Sequence, residues 1–200
     1  MPTAVNAEKG TDMSDPKKQK GGGSVLLRLL LFVVLVVVLV AVGGYFYGTT
    51  LETRKLFSET ISIKGDEDDV HKYIGDLKQW PEWGPWKDED PEMTWEYSEK
   101  TTEVGSWMKW KSKNGNGELK FTAVDPDNGI EYLFSMDGWD PQKGSFVYTD
   151  TKEGINVTWN SDMDMSNSII GRYVIKFGGD AMNEMLSKGL KNLKTKVEAD

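Results

Sequence analysis

Few side chains in this sequence stand ready for chemistry. His71 is the single histidine and there is no cysteine. Nothing can therefore build a Cys–His dyad, a disulfide or a thiolate zinc site. His71 sits beside Val70 on a predicted helix, off that helix's apolar stripe, and is expected at its exposed surface. The acidic runs Asp88-Glu89-Asp90 and Asp162-x-Asp164 fall in predicted loops, where solvated charge is the default. Acid–base work by a carboxylate would need burial or a close partner to shift its pKa, and the sequence argues for neither. Asp66 to Asp69 lack the alternating ligands and the glycine of a calcium loop. They suit a helix start instead, where an aspartate caps free N–H groups and acids meet the positive dipole end. No catalytic residue, metal ligand or cofactor site is assigned on this reading.

Aromatic residues carry more information. Trp80, Trp83 and Trp86 stand within seven residues broken by Pro81, Gly84 and Pro85, so no long helix forms there. Three indoles in so short a stretch bury much surface, and the segment is expected to cover the end of a core.

The elements that would position these groups divide at an apolar run. From Val25 to Val42, seventeen of eighteen residues are Leu, Val, Phe or Ala, with Arg28 near one end. Such a helix crosses a hydrocarbon core of roughly 30 Å. Its Leu, Val and Phe contribute about −6 kcal/mol towards insertion, against about +3 kcal/mol for a central Arg. Tyr45, Phe46 and Tyr47 resemble an aromatic belt. Residues 25–47 are therefore read as one transmembrane helix, 1–24 as a disordered polar tail, 48–56 as a connector and 57–200 as a separate domain. Lys17, Lys18 and Lys20 ahead of the span place the N-terminus in the cytoplasm and the domain outside it, as at a bacterial inner membrane. A cleaved signal peptide ending near Gly43 is the rival reading, but its apolar region would be too long. Residues 49–200 hold nineteen Lys/Arg against twenty-nine Asp/Glu, a net of −10. That surface repels phosphate backbones, so nucleic acid is excluded as a partner, and protein partners stay unassigned. Lipid contact must come through the tether or a local apolar patch.

In the domain, Phe57–Lys64 alternates as a strand. A helix follows with Val70, Tyr73, Ile74 and Leu77 on one stripe. From Met93 to Ser161, six short alternating runs are separated by turn signals such as Asn114-Gly115-Asn116-Gly117 and Asp137-Gly138. Short links require antiparallel neighbours. One face carries Leu119, Phe121, Ala123, Ile130, Tyr132, Phe134, Met136, Phe146, Tyr148, Ile155, Val157 and Trp159. Ile169–Phe177 is a short apolar stretch that Gly178-Gly179 is expected to break. A long helix capped by Asp180 then runs to about Glu198, with Met182, Met185, Leu186, Leu190 and Leu193 inward.

This order of strand, helical insert, antiparallel meander and long terminal helix resembles the helix-grip fold of the SRPBCC superfamily (START-like, Bet v 1-like). The resemblance is greatest to the polyketide cyclase/dehydrase and lipid transport group. It covers residues 57–198 and rests on Trp80, Trp83, Pro85 and Trp86, on Asp90-Pro91, Gly105, Trp110, Gly115-x-Gly117, Val157-Thr158-Trp159 and Gly189-Leu190-x-x-Leu193-Lys194. It implies an α+β domain whose curved sheet wraps the terminal helix around an apolar cavity, and no shared catalytic set. The ligand face expected from the alternation and the resemblance comprises Trp110, Phe121, Tyr132, Phe134, Phe146, Tyr148, Trp159, Met182 and Met185. The partner expected there is a lipid or other hydrophobic small molecule. A cyclase-like enzyme in the same cavity and an interaction domain with a filled cavity are the alternatives.

Overall fold

The computed structural model describes residues 23–200, and the polar tail and its lysines lie outside the described residues as far as residue 22. The chain divides into two units, Met1–Gly44 and Tyr45–Asp200. Helix α1 (Gly23–Thr49) supplies all that is described of the first and the opening residues of the second. Residues 25–43 are exposed throughout, and Val25–Thr49 is long and apolar enough to cross a membrane.

In the second unit, β1 (Arg54–Ile63) is followed by α2 (Glu67–Ile74), α3 (Trp80–Trp83) and α4 (Trp86–Glu89). Then come β2 (Thr94–Tyr97), β3 (Trp107–Lys111), β4 (Gly117–Asp125), β5 (Gly129–Met136), β6 (Gln142–Thr151) and β7 (Gly154–Asp164). The chain ends on α5 (Ile169–Val197). All pairings are antiparallel in a seven-stranded sheet of order β1-β7-β6-β5-β4-β3-β2. The meander from β2 to β7 follows from its short turns. β1, separated from it by the helical insert, pairs with β7 along its whole length, Ile63 opposite Ile155 and Phe57 opposite Ser161.

Acids at the start of α2 cap it. Asp66 Oδ1 accepts from the Asp69 N–H at 3.1 Å, and Asp69 Oδ2 accepts from the Asp66 N–H at 3.2 Å. That reciprocal pair satisfies donors a helix start leaves open. Val70, Ile74 and Leu77 are fully buried, as their stripe requires.

Three expectations about the elements need correction. Asp162-x-Asp164, expected in a loop, ends β7 and pairs with β1. The alternation placed Ala123 inward, but the β4–β5 register shifts between Phe121 and Ala123. One extra residue turns Ala123 towards the Glu131 face and brings Val124 opposite inward Ile130. More consequentially, Gly178-Gly179 does not break the terminal helix. α5 is continuous from Ile169, capped by Ser168, whose Oγ accepts from the Gly171 N–H at 2.9 Å. Gly179 is a packing glycine: a Cβ there would lie 3.3 Å from Phe57 Cε1 and from Lys55 Nζ. At Gly189 a Cβ would lie 2.6 Å from Trp159 Cζ3, so the helix presses its backbone onto the sheet at both points. Leu186 between them, and Leu190 and Leu193 beyond Gly189, are buried against the sheet.

Candidate ligand cavity

Between α5 and the sheet the nine residues expected to face a ligand part into two groups. The first is locked into the core by the tryptophan segment. Trp80 and Trp83, both fully buried, reach into the space between sheet and helix. Trp80 meets Tyr132 edge-on at 5.5 Å and Phe146 at 5.7 Å, and lies 6.1 Å from Phe121. Trp83 meets Phe146 at 5.8 Å and Trp159 at 5.7 Å, while Phe146 and Trp159 stack at 4.8 Å. Their polar edges are satisfied internally, the Trp80 and Trp83 N–H groups donating to the Ile74 and Tyr73 carbonyls. Trp159 Nε1 donates to the Tyr132 hydroxyl at 2.7 Å. Burial pushes the Tyr132 phenol well above its ordinary pKa, so it stays a neutral hydroxyl. Tyr148 is likewise raised by burial, and its hydroxyl lies 3.2 Å from His71 Nδ1. His71 is thus half-buried rather than exposed, because its ring turns inward to meet a strand that helix periodicity alone does not reveal. Phe121, Tyr132, Phe146, Tyr148 and Trp159 do not line the apolar cavity.

The second group does. Trp110, Phe134, Met182 and Met185 line a cavity of about 260 Å³ with Trp86, Met93, Trp95, Met108, Leu119 and Met136. Trp110 and Phe134 stack at 5.6 Å. Trp86 divides the two halves: it meets Trp159 edge-on at 6.4 Å on the core side and Trp95 at 6.1 Å on the cavity side. Thioethers are flexible and polarisable, so a wall holding five methionines adapts to its occupant.

Polar groups gather at one side, where Asp90, Ser112, Asn114 and Gly115 complete the lining. The Asp90 carboxylate is buried and accepts from Ser112 Oγ at 2.7 Å and the Lys113 N–H at 2.9 Å. The Ser112 hydroxyl, then the Lys113 amide, hold its pKa below the usual carboxylate range. That anion ties the end of α4 to the β3–β4 turn and is not poised to take a proton near neutrality. The Trp95 indole N–H is different: it is buried and finds no acceptor among the described residues. Met93, Trp95 and Met108 were missed because the alternating face was read only from β4 onward, and Trp86 and Asp90 because they belong to the helical insert and not to the sheet. The alternation of Met93, Trp95 and Tyr97 with Met108 and Trp110 carried the signal, since Trp95 pairs directly with Trp110. Among the described residues no cluster of His, Cys, Asp or Glu could hold a metal ion.

The family model for polyketide cyclase / dehydrase and lipid transport matches residues 54–198. The chain belongs to this family. No curated protein matches this chain. Among solved structures, protein CV1439 from Chromobacterium violaceum superposes with a TM-score of 0.52 at 13% identity, covering 72% of this chain and 98% of its own. The Aha1 dimer from Colwellia psychrerythraea gives 0.52 at 16% identity, covering 72% and 96%. Ara h 8.0201 gives 0.51 at 12% identity, covering 74% and 99%. At such identities the likeness concerns the fold alone, an α+β helix-grip, which the family domain shares with them.

Proposed function

We propose that this chain is a membrane-anchored binding protein that takes a lipid or other hydrophobic small molecule into the cavity between α5 and β2–β5. The observation that carries this reading is a methionine- and tryptophan-walled cavity with one buried, unpartnered indole N–H. An unmet donor in an apolar site costs free energy until something accepts from it. The fitting ligand is mostly apolar and carries one hydrogen-bond acceptor for Trp95. At about 30 Å³ per water-sized group, the cavity holds roughly nine such groups, at the small end for ligand sites. A short acyl chain or a fused ring pair is of that size. The ionised Asp90 beside it and the acidic domain surface favour a neutral or cationic molecule over a polyanion. Residues 25–47 supply the anchor, with the N-terminus cytoplasmic and the domain extracytoplasmic.

Native mass spectrometry of the full chain released from lipid nanodiscs should show a retained apolar ligand. Titration with a neutral naphthalene probe should saturate. Phe134→Glu should abolish uptake by forcing a charge into the cavity wall. Trp95→Phe should weaken it about tenfold, the worth of one hydrogen bond. His71→Gln, away from the cavity, should leave it intact. A folded protein with no retained molecule and no saturable uptake would overturn the reading, as would Phe134→Glu protein that binds like the parent.

A further inference from the structure

The outer face of α5 changes character along its length. Its buried residues Gly171, Ile175, Gly179, Leu186, Leu190 and Leu193 lie on the sheet side. On the opposite side, Ile170, Val174 and Phe177 are 75%, 42% and 71% exposed. Their i, i+4, i+7 spacing makes one stripe. Further along the same side stand Glu184, Lys188, Lys191 and Thr195, the usual composition of a solvated face. Only the first turns of the helix are apolar outside as well as inside.

Those turns are also where the tether arrives. Gly48 packs so closely that a Cβ there would lie 2.7 Å from Ile169 Cγ2 and 2.9 Å from Tyr173 Cε2. Tyr47 meets the Tyr173 ring at 6.0 Å, and Tyr173 stacks on Phe177 at 6.2 Å. Arg172 donates to the Thr49 carbonyl at 3.4 Å and to the Ser166 carbonyl at 2.8 Å, setting a cation at the C-terminal end of α1. The aromatic row Tyr47–Tyr173–Phe177 thus continues the end of the apolar run onto α5. Lys176 on α5 and Lys55, whose Nζ stands 5.0 Å over the Phe57 ring, add exposed positive charge to this corner of an acidic domain.

We propose that the stripe Ile170–Val174–Phe177 is a lipid-facing surface that seats the domain on the bilayer beside its own anchor. Apolar side chains flanked by cations match the boundary between acyl chains and headgroups. Tyr47 and Gly48, at the end of the apolar run, contact Tyr173 and Ile169 beside the stripe, so a run that spans a bilayer brings the membrane within the stripe's reach. This rests on the anchor reading of α1, and the test separates the two.

Because the chain has no cysteine, single cysteines can carry an environment-sensitive fluorophore. Full-length Val34→Cys, Phe177→Cys and Lys191→Cys proteins, reconstituted in phosphatidylcholine vesicles with brominated acyl chains, should report anchor, stripe and polar face. Quenching severalfold stronger at 34 and at 177 than at 191 is the expected result. Quenching at 34 with 177 no more quenched than 191 overturns the seating while leaving the anchor intact. No quenching at 34 sinks the anchor and this proposal together. Protection at 177 without bromine quenching, in particles of doubled mass, assigns the stripe to a second copy of the chain and also overturns it.

Discussion

Burial sets the charge state of His71, and through it a pH dependence. Desolvation pushes its pKa below the ordinary value, against the opposing pull of Asp68, Asp125 and Asp127. A neutral Nδ1 can accept from the Tyr148 hydroxyl, which its own raised pKa keeps protonated. The unfolded chain therefore binds the His71 proton more readily than the folded one. The stability that depends on neutral His71 is complete above the unfolded value of about 6.5 and is lost as pH falls below it. Thermal melts of His71→Gln should show a shallower loss between about pH 7 and about pH 5 than the parent; parallel curves would mean that the ring is solvated. The same inward packing makes the tryptophans costly to remove. Trp83→Ala should lower stability by about 3–5 kcal/mol in denaturant titrations, the usual range for a buried large aromatic. An effect under about 1 kcal/mol would show that the segment is a loose cover. The burial of Trp80 and Trp83 was legible from residue type and spacing. The His71–Tyr148 contact was not, since it joins residues 77 apart through tertiary packing.

The two glycines that were expected to end one helix and begin another carry the lesson at the level of elements. Gly178-Gly179 disfavours helix by about 1 kcal/mol per residue, yet α5 runs through it, with Gly179 packed tightly on β1, where a Cβ would crowd Phe57 and Lys55. A propensity rule sees the local cost and not the surface that offsets it. Gly178 and Gly189 separate the two roles experimentally. A Cβ on Gly178 meets only Val174 Cγ1 at 3.6 Å, ordinary contact, so Gly178→Ala should stabilise by about 0.5–1 kcal/mol. Gly189→Ala must displace Trp159 and should destabilise in the same denaturant titration. If both variants shift stability the same way, α5 is not seated as described. Strands were more legible than helices here because Asn-Gly, Asp-Gly and Glu-Gly breaks punctuate every hairpin from β3 onward. What the alternation could not show was the bulge after Phe121, which adds a residue without changing composition, or how far the insert's indoles reach between sheet and helix. That reach, rather than the sheet face itself, decides that Phe146 and Trp159 are core while Trp110 and Phe134 line a cavity.

Along the whole chain one long apolar helix precedes an acidic helix-grip domain, and the orientation proposed for it rests on charge. The lysines at 17, 18 and 20 precede the apolar run and Arg28 lies near its start, whereas the first cations after it are Arg54 and Lys55. The four earlier cations lie within one short segment, the kind of asymmetry that retains an N-terminus in the cytoplasm. The domain's net −10 adds no competing retention signal, since acidic residues contribute little to orientation. A periplasm-active reporter fused after Asp200 should therefore be functional in a bacterial host, and a reporter that works only in the cytoplasm should be silent at the same position. The opposite pair of results would invert the orientation. Retention is a separate matter: the apolar run from Val25 to Val42, eighteen residues with Arg28 near its start, exceeds the 7–15 residues of a signal peptide's core. The mature protein should keep its full mass and resist alkaline extraction from membranes. A mature mass beginning near Gly43 would show a cleaved leader, and the aromatic residues from Tyr45 would then open a soluble chain.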